Sequence, residues 1–197
     1  MKETMKKNII AALLVFGAAV NLAAGENIPR PEYPRPQFER QNWVNLNGEW
    51  TYRFDLNHVG LEKGYSESKG FDGTILVPFS PESELSGVGY TDFITGIWYH
   101  RTLDVPAAWE GQRIFLNFGA VYYQSEVFID GKFVGRHFGG SSSFSFDITD
   151  FAAPGTSHDL VVYAQSDLRS MNQPAGKQSL MLGSHDCEYI RTTGIWQ

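Results

Sequence analysis

The sequence predicts an all-β protein, a jelly-roll β-sandwich, and three observations predict it. Side chains alternate with a period of two after Gly48, short apolar runs are separated by Gly, Pro, Asp and Ser clusters, and Asp130-Gly131 divides two such runs as a tight hairpin would. Internal repeats of roughly 20–50 residues, the signature of propellers and solenoids, are absent.

Trp50, Tyr52, Phe54 and Leu56 alternate with Thr51, Arg53 and Asp55, which predicts a first strand with one face buried and the other in water. Further strands are predicted at 74–78, 96–104, 112–119, 125–130, 132–137, 143–149 and 159–166, eight in all, with no helix between them. The hairpin between VFI and KFV is the best specified, because both positions of an Asp-Gly turn need positive φ. Val77-Pro78 places a residue without an N–H at a strand end or edge. Gly139 and Gly140 offer backbone conformations closed to other residues, as a sharp connection into the Phe144 strand requires. Eight short strands with turns at this spacing make a jelly roll, which limits exposed sheet edges.

Three segments fall outside this rhythm. Residues 1–25 read as a signal peptide: a basic start, an apolar run of twelve residues from Ile9 to Val20, then Ala23, Ala24 and Gly25. A membrane-spanning helix needs about 20 apolar residues, so no membrane anchor is expected and the protein is expected to be secreted or periplasmic. Residues 26–36 form a Pro-rich lead-in, with four prolines in IPRPEYPRP favouring extended backbone. Residues 37–197 are the sandwich domain. Within it, Ser166 to Cys187 shows no alternation, and loops this long are more often functional than idle. The chain regains apolar character at Ile195 and Trp196 and stops at Gln197, so the domain is expected to be truncated at its C-terminal end.

Composition excludes several functions. Asp and Glu number 22 against 16 Lys and Arg, a net charge of −6, and residues 1–25 carry three lysines against one glutamate, so the remainder is two units more negative. Nucleic acid is therefore not an expected partner. Gly87-Val88-Gly89 lacks the third glycine and the helix of a dinucleotide motif, and neither a phosphate-binding loop nor a G-x-S-x-G element exists, so no cofactor is expected. The five histidines form no i, i+4 pair and the single cysteine, Cys187, can neither close a disulfide nor anchor a zinc site, so no metal site is expected. Cys187 itself is read as a small buried hydrophobe. His185 is the one histidine in the long loop. Trp98, Tyr122, Tyr123 and Trp196 could stack on sugar faces, but large aromatics fill cores for simpler reasons, and burial is the favoured reading.

Five blocks in order, PRPQFER with LNGEW (34–50), VPFSPESELSGVG (77–89), GIWYHRTLDVP (96–106), FGAVYYQSEVFIDGKFVGRHFGGSSSFSFDITD (118–150) and RTTGIWQ (191–197), resemble the N-terminal sugar-binding domain of glycoside hydrolase family 2. The resemblance covers about residues 34–197 and implies a galactose-binding-domain-like jelly roll. It further implies a carbohydrate partner, and an immunoglobulin-like domain and a (β/α)₈ barrel as neighbours within the same retaining β-glycosidase. Two barrel glutamates would carry the chemistry, about 5–5.5 Å apart; a barrel alone takes about 250 residues, so no catalytic residue is expected before Gln197. In β-galactosidases of the family the stretch before the final Gly-Ile motif reaches the sugar. By that resemblance Asp186 and Glu188 are candidate sugar contacts, with Arg191 a neighbouring donor; solvated loop charge is the alternative. Phe93 stands where some of those enzymes carry a sugar-contacting asparagine, so the resemblance does not extend to galactose specificity. A free-standing carbohydrate-binding module and a purely structural domain are the competing readings, and the break at Gly-Ile-Trp-Gln argues against the former.

Overall fold

A computed structural model describes residues 28–197, and the expected signal peptide lies outside the described residues. The structure is all-β: ten strands and five three-residue 3₁₀ turns, without an α-helix among the described residues. The strands are β1 (Gly48–Phe54), β2 (Gly73–Val77), β3 (Gly96–Asp104), β4 (Phe115–Phe118), β5 (Val121–Tyr122), β6 (Gln124–Ile129), β7 (Lys132–Phe138), β8 (Phe144–Asp147), β9 (Ser157–Gln165) and β10 (Gly194–Ile195). One six-stranded antiparallel sheet runs β2-β1-β3-β9-β6-β7; the pairs β4–β8 and β5–β10 close the other side of the core. Each predicted strand is present; β4 and β8 are shorter than the periodicity implied, and β7 and β9 run slightly longer. The additions are β5 and β10, whose two residues each are too few for a period to show.

Turn chemistry fixes the β6–β7 hairpin as the sequence predicts: Asp130 sits at φ +49° and Gly131 at +76°. The two glycines before β8 act differently from each other. Gly139 has φ +127°, open to glycine, whereas Gly140 lacks a positive φ and is small because a Cβ there would strike the ring of Tyr122. Gly194 combines both reasons, with φ +74° and a missing Cβ that would strike Tyr99.

The main core lies against one face of the six-stranded sheet, where Trp50, Ile75, Ile97, Tyr99, Val127, Ile129, Leu160 and Val162 meet Leu116, Phe118, Val121, Ile148 and Ile195 from across the sandwich. The opposite face was expected to be wet where β1 forms it, and the structure corrects this at Asp55. Trp98, Phe128, Val161 and Tyr163 form a second buried cluster there, under Tyr65 and Phe71 of the segment that follows β1. Trp98 is fully buried, stacked on Tyr163 at 4.5 Å and met edge-on by Tyr65 at 5.9 Å. The first strand also ends earlier than expected. Leu56 is exposed, and Asp55, expected in water, is buried.

Asp55 explains how the chain turns back over this face. Its carboxylate accepts from the backbone N–H groups of Val59 (2.9 Å) and Gly60 (2.8 Å) and from the indole N–H of Trp98 (2.9 Å). Three donors satisfy a buried acid and fix the turn that brings Tyr65 and Phe71 onto the sheet. Replacing Asp55 by Ala strands those donors, so Asp55→Ala is expected to lower stability by about 3 kcal/mol in urea titrations.

Candidate functional site

Between β9 and β10 the chain runs for 28 residues, 166–193, with one 3₁₀ turn and two isolated bridges in place of strands. Buried backbone groups in such a segment need partners from elsewhere. Asp167 caps the turn by accepting from Ser170 N at 3.2 Å, and Gln173 ties Asp167 N (2.9 Å) to Ser166 Oγ (3.1 Å). The Tyr122 hydroxyl donates to the carbonyl of Pro174. Further on, Ser179 N donates to Tyr189 O and Tyr189 N to Lys177 O, both at 2.9 Å, while Gln178 Oε1 accepts from Thr192 N at 2.8 Å.

Arg191 holds the middle of this segment. It is 2 % exposed, and its guanidinium donates to the carbonyls of Ser179 (3.1 Å), Met181 and Thr91. Its charge also lies over the ring of Phe93, 4.1 Å from the centroid. Three carbonyls from two separate stretches thus converge on one cation, which fixes the loop to residues 91–93.

Beside it, Glu82 was not singled out by the sequence. It is buried, and one carboxylate oxygen accepts from Thr193 N at 3.1 Å while the other has no partner. Burial pushes its carboxyl above the usual range, against the lowering influence of the Thr193 bond. The buried Tyr99 hydroxyl, also without a partner, is raised as well, first by burial and then by the charge of Glu82.

Asp186 and Glu188 lie on a tight hairpin that this framework carries outward. His185 N donates to Glu188 O at 3.2 Å and Glu188 N to His185 O at 2.8 Å, with Asp186 at φ +50° in the first turn position. The Asp186 side chain is 82 % exposed and meets His185 Nε2 at 3.1 Å, an exposed ion pair of little stabilising worth. Glu188 is half-buried, and Tyr189 next to it is exposed, an aromatic that the sequence reading passed over. The structure therefore brings the two acids together on one hairpin but sets Arg191 apart, inside the loop and turned to backbone carbonyls.

Cys187 occupies the second turn position and is exposed. Its expected burial is thereby corrected, since a two-residue turn has no interior. Of the aromatics weighed as platforms, Trp98 and Tyr122 are buried, and Trp196 is half-buried with its indole donating to Gly140 O at 2.8 Å. Among the described residues no group of three or more His, Cys, Asp or Glu side chains is placed to hold a metal ion. A groove of about 680 Å³ lies elsewhere, along β1 and β3, lined by Glu49, Thr51, His100 and Arg101 and by none of the loop residues. Chemically, the hairpin offers two carboxylates as acceptors for sugar hydroxyls beside an exposed aromatic face.

The sequence profile of the family described as "Glycosyl hydrolases family 2, sugar binding domain" matches residues 43–173, and the chain belongs to that family. A β-glucuronidase of Paenibacillus borealis is 28 % identical over 134 residues, covering 68 % of this chain and 22 % of that protein. A β-galactosidase of Bacteroides ovatus is 30 % identical over 114 residues, covering 54 % of this chain and 13 % of that protein. Among solved structures, a Ruminococcus gnavus β-glucuronidase in complex with uronic isofagomine superposes with a TM-score of 0.57 at 25 % identity, covering 71 % of this chain and 22 % of that one. The chain spans about a fifth of the length of the β-glucuronidases it matches.

Two variants test this framework. Arg191→Met keeps an apolar stem and removes the donors and the charge over Phe93, so it is expected to lower the melting temperature and to open residues 175–190 to limited proteolysis, with β3 and β9 left protected. The raised carboxyl of Glu82 implies stability that is complete at low pH and declines as pH rises through its folded value. Glu82→Gln keeps the acceptor for Thr193 and cannot ionise. Thermal melts between pH 4 and 8, a window of roughly the range over which a raised carboxyl titrates, are expected to show the variant more stable than the native chain at the upper end and level with it at the lower.

Proposed function

We propose that this chain is the N-terminal carbohydrate-binding, accessory domain of a secreted, retaining family 2 β-glycosidase, in which the hairpin of Asp186 and Glu188 forms part of the wall of the sugar site. The observation that carries this reading is the hairpin itself: two acids and Tyr189 on a loop that Arg191 and Gln178 tie together from within and that is bonded to residues outside it at Thr91 and Glu82. Fixed acceptors beside an aromatic suit a hydroxyl-rich ligand, because little ordering remains to be done on binding. Matched relatives of which the aligned part is only 17–22 % leave room for an immunoglobulin-like domain and a barrel as intramolecular partners. The carboxyl pair that cleaves the glycosidic bond belongs to that barrel.

Residues 28–197 are accordingly expected to release no product from aryl β-glucuronides or β-galactosides, and turnover by this chain would place a catalytic pair within it. Binding is tested by titrating the ¹⁵N-labelled chain with glucuronate, galactose and mannose. Amide shifts are expected at residues 185–190 and are expected to vanish in Asp186→Asn, Glu188→Gln; shifts confined to the groove along β1 and β3 would contradict the assignment.

A further inference from the structure

The outer face of the six-stranded sheet is covered at one end only. Trp98, Phe128, Val161 and Tyr163 lie under Tyr65 and Phe71, but where β1 begins and β3 ends the same face carries small and polar side chains. Alternation along the strands sets them there: Trp50 on β1 and Tyr99 and Leu103 on β3 belong to the main core, so Glu49, Thr51, His100, Thr102 and Asp104 point the other way. They line the groove of about 680 Å³, and Ile28 and Leu76 add apolar surface to it. A sheet face that only meets solvent needs no concavity, and this one has the volume of a ligand site, which runs from about 300 to 1,000 Å³.

The floor of the groove is braced. His100 is buried; its Nε2 meets Asp159 Oδ1 at 2.8 Å and its Nδ1 meets Thr51 Oγ1 at 3.4 Å, while Thr51 Oγ1 accepts from Phe71 N at 3.0 Å. These groups are occupied with one another. Glu49 and Thr102 are not: both are exposed, and neither side chain has a hydrogen-bond partner among the described residues. Asp104 is exposed too, and accepts from Ser157 Oγ through one of its two oxygens. Uncommitted carboxylate and hydroxyl groups, fixed on paired strands beside aliphatic side chains, match a ligand with hydroxyls on its rim and C–H groups on its faces, which is a sugar ring.

We propose that this groove is a second carbohydrate site, taking several linked rings of a neutral oligosaccharide, with Glu49 and Asp104 accepting from sugar hydroxyls and Thr102 bonding through its own. The site goes beyond the hairpin, shares with that reading only the class of ligand, and is lined by none of residues 166–193. It gives the domain a hold on a glycan that does not depend on Asp186 or Glu188. Free carboxylates also attract cations, so an amine belongs among the probes.

The test titrates the ¹⁵N-labelled chain with galactotetraose, cellotetraose, galactose and spermidine. Either tetrasaccharide is expected to shift the amides of Glu49, Thr51, His100 and Thr102, and galactose to shift residues 185–190 alone. Glu49→Leu, Thr102→Val, near-isosteric changes at exposed strand positions, is expected to weaken the groove response about tenfold or more and to leave the galactose response in place. Thr102→Lys, which fills the groove, is expected to remove the groove response. Groove amides unmoved by both tetrasaccharides while the hairpin responds overturn the second site and leave the hairpin reading standing, as does a groove response undiminished in both variants. A response to spermidine and to neither tetrasaccharide makes the groove a cation site and overturns the carbohydrate assignment. Groove shifts with a tetrasaccharide and none at 185–190 with any sugar uphold the groove and overturn the hairpin; no shift with any sugar overturns both.

Discussion

A backbone that leaves the sheet for 28 residues must find donors for its buried carbonyls, and the bonds of Arg191 to Ser179, Met181 and Thr91 meet that constraint at its most buried point. Without them the segment between β9 and β10 would be an open excursion from the sandwich, with a large ordering entropy to overcome. With them, and with Thr193 held by Glu82, the loop has a fixed course that ends in β10 paired to β5. The hairpin of Asp186 and Glu188 depends on that course. Arg191 also spends its charge in two ways at once, on carbonyl dipoles and on the Phe93 ring, which is why a cation is tolerated at 2 % exposure without a carboxylate beside it.

What the sequence disclosed was local. The Asp130-Gly131 turn, the strand alternation at Trp50 and Phe144 and the proline ending β2 are written in nearest neighbours and survive into the fold. What it hid was tertiary. Asp55 reads as a wet-face residue until the chain folds back and lays Tyr65 and Phe71 over it and Trp98. Gly140 reads as a conformational glycine, but its reason is the ring of Tyr122, 18 positions earlier. Glu82 is silent because its partner, Thr193, is 111 residues away.

The candidate site shows the same division. Asp186 and Glu188, set two apart, share a hairpin, and their charge and exposure are what a loop position implies. Arg191 carries the same formal charge as any loop arginine, and nothing in its neighbours distinguishes a donor for ligand from a donor for backbone. The structure gives it the second role through Nη1 and Nη2.

The most direct test of a loop fixed by its backbone bonds is native-state hydrogen exchange of the amides of Ser179, Tyr189 and Thr193. The account predicts that they exchange about a hundredfold or more slowly than an unstructured chain, approaching the protection of β3 and β9. Exchange at the unstructured rate, with the sheet protected, would show the loop unfastened and remove the basis for the hairpin.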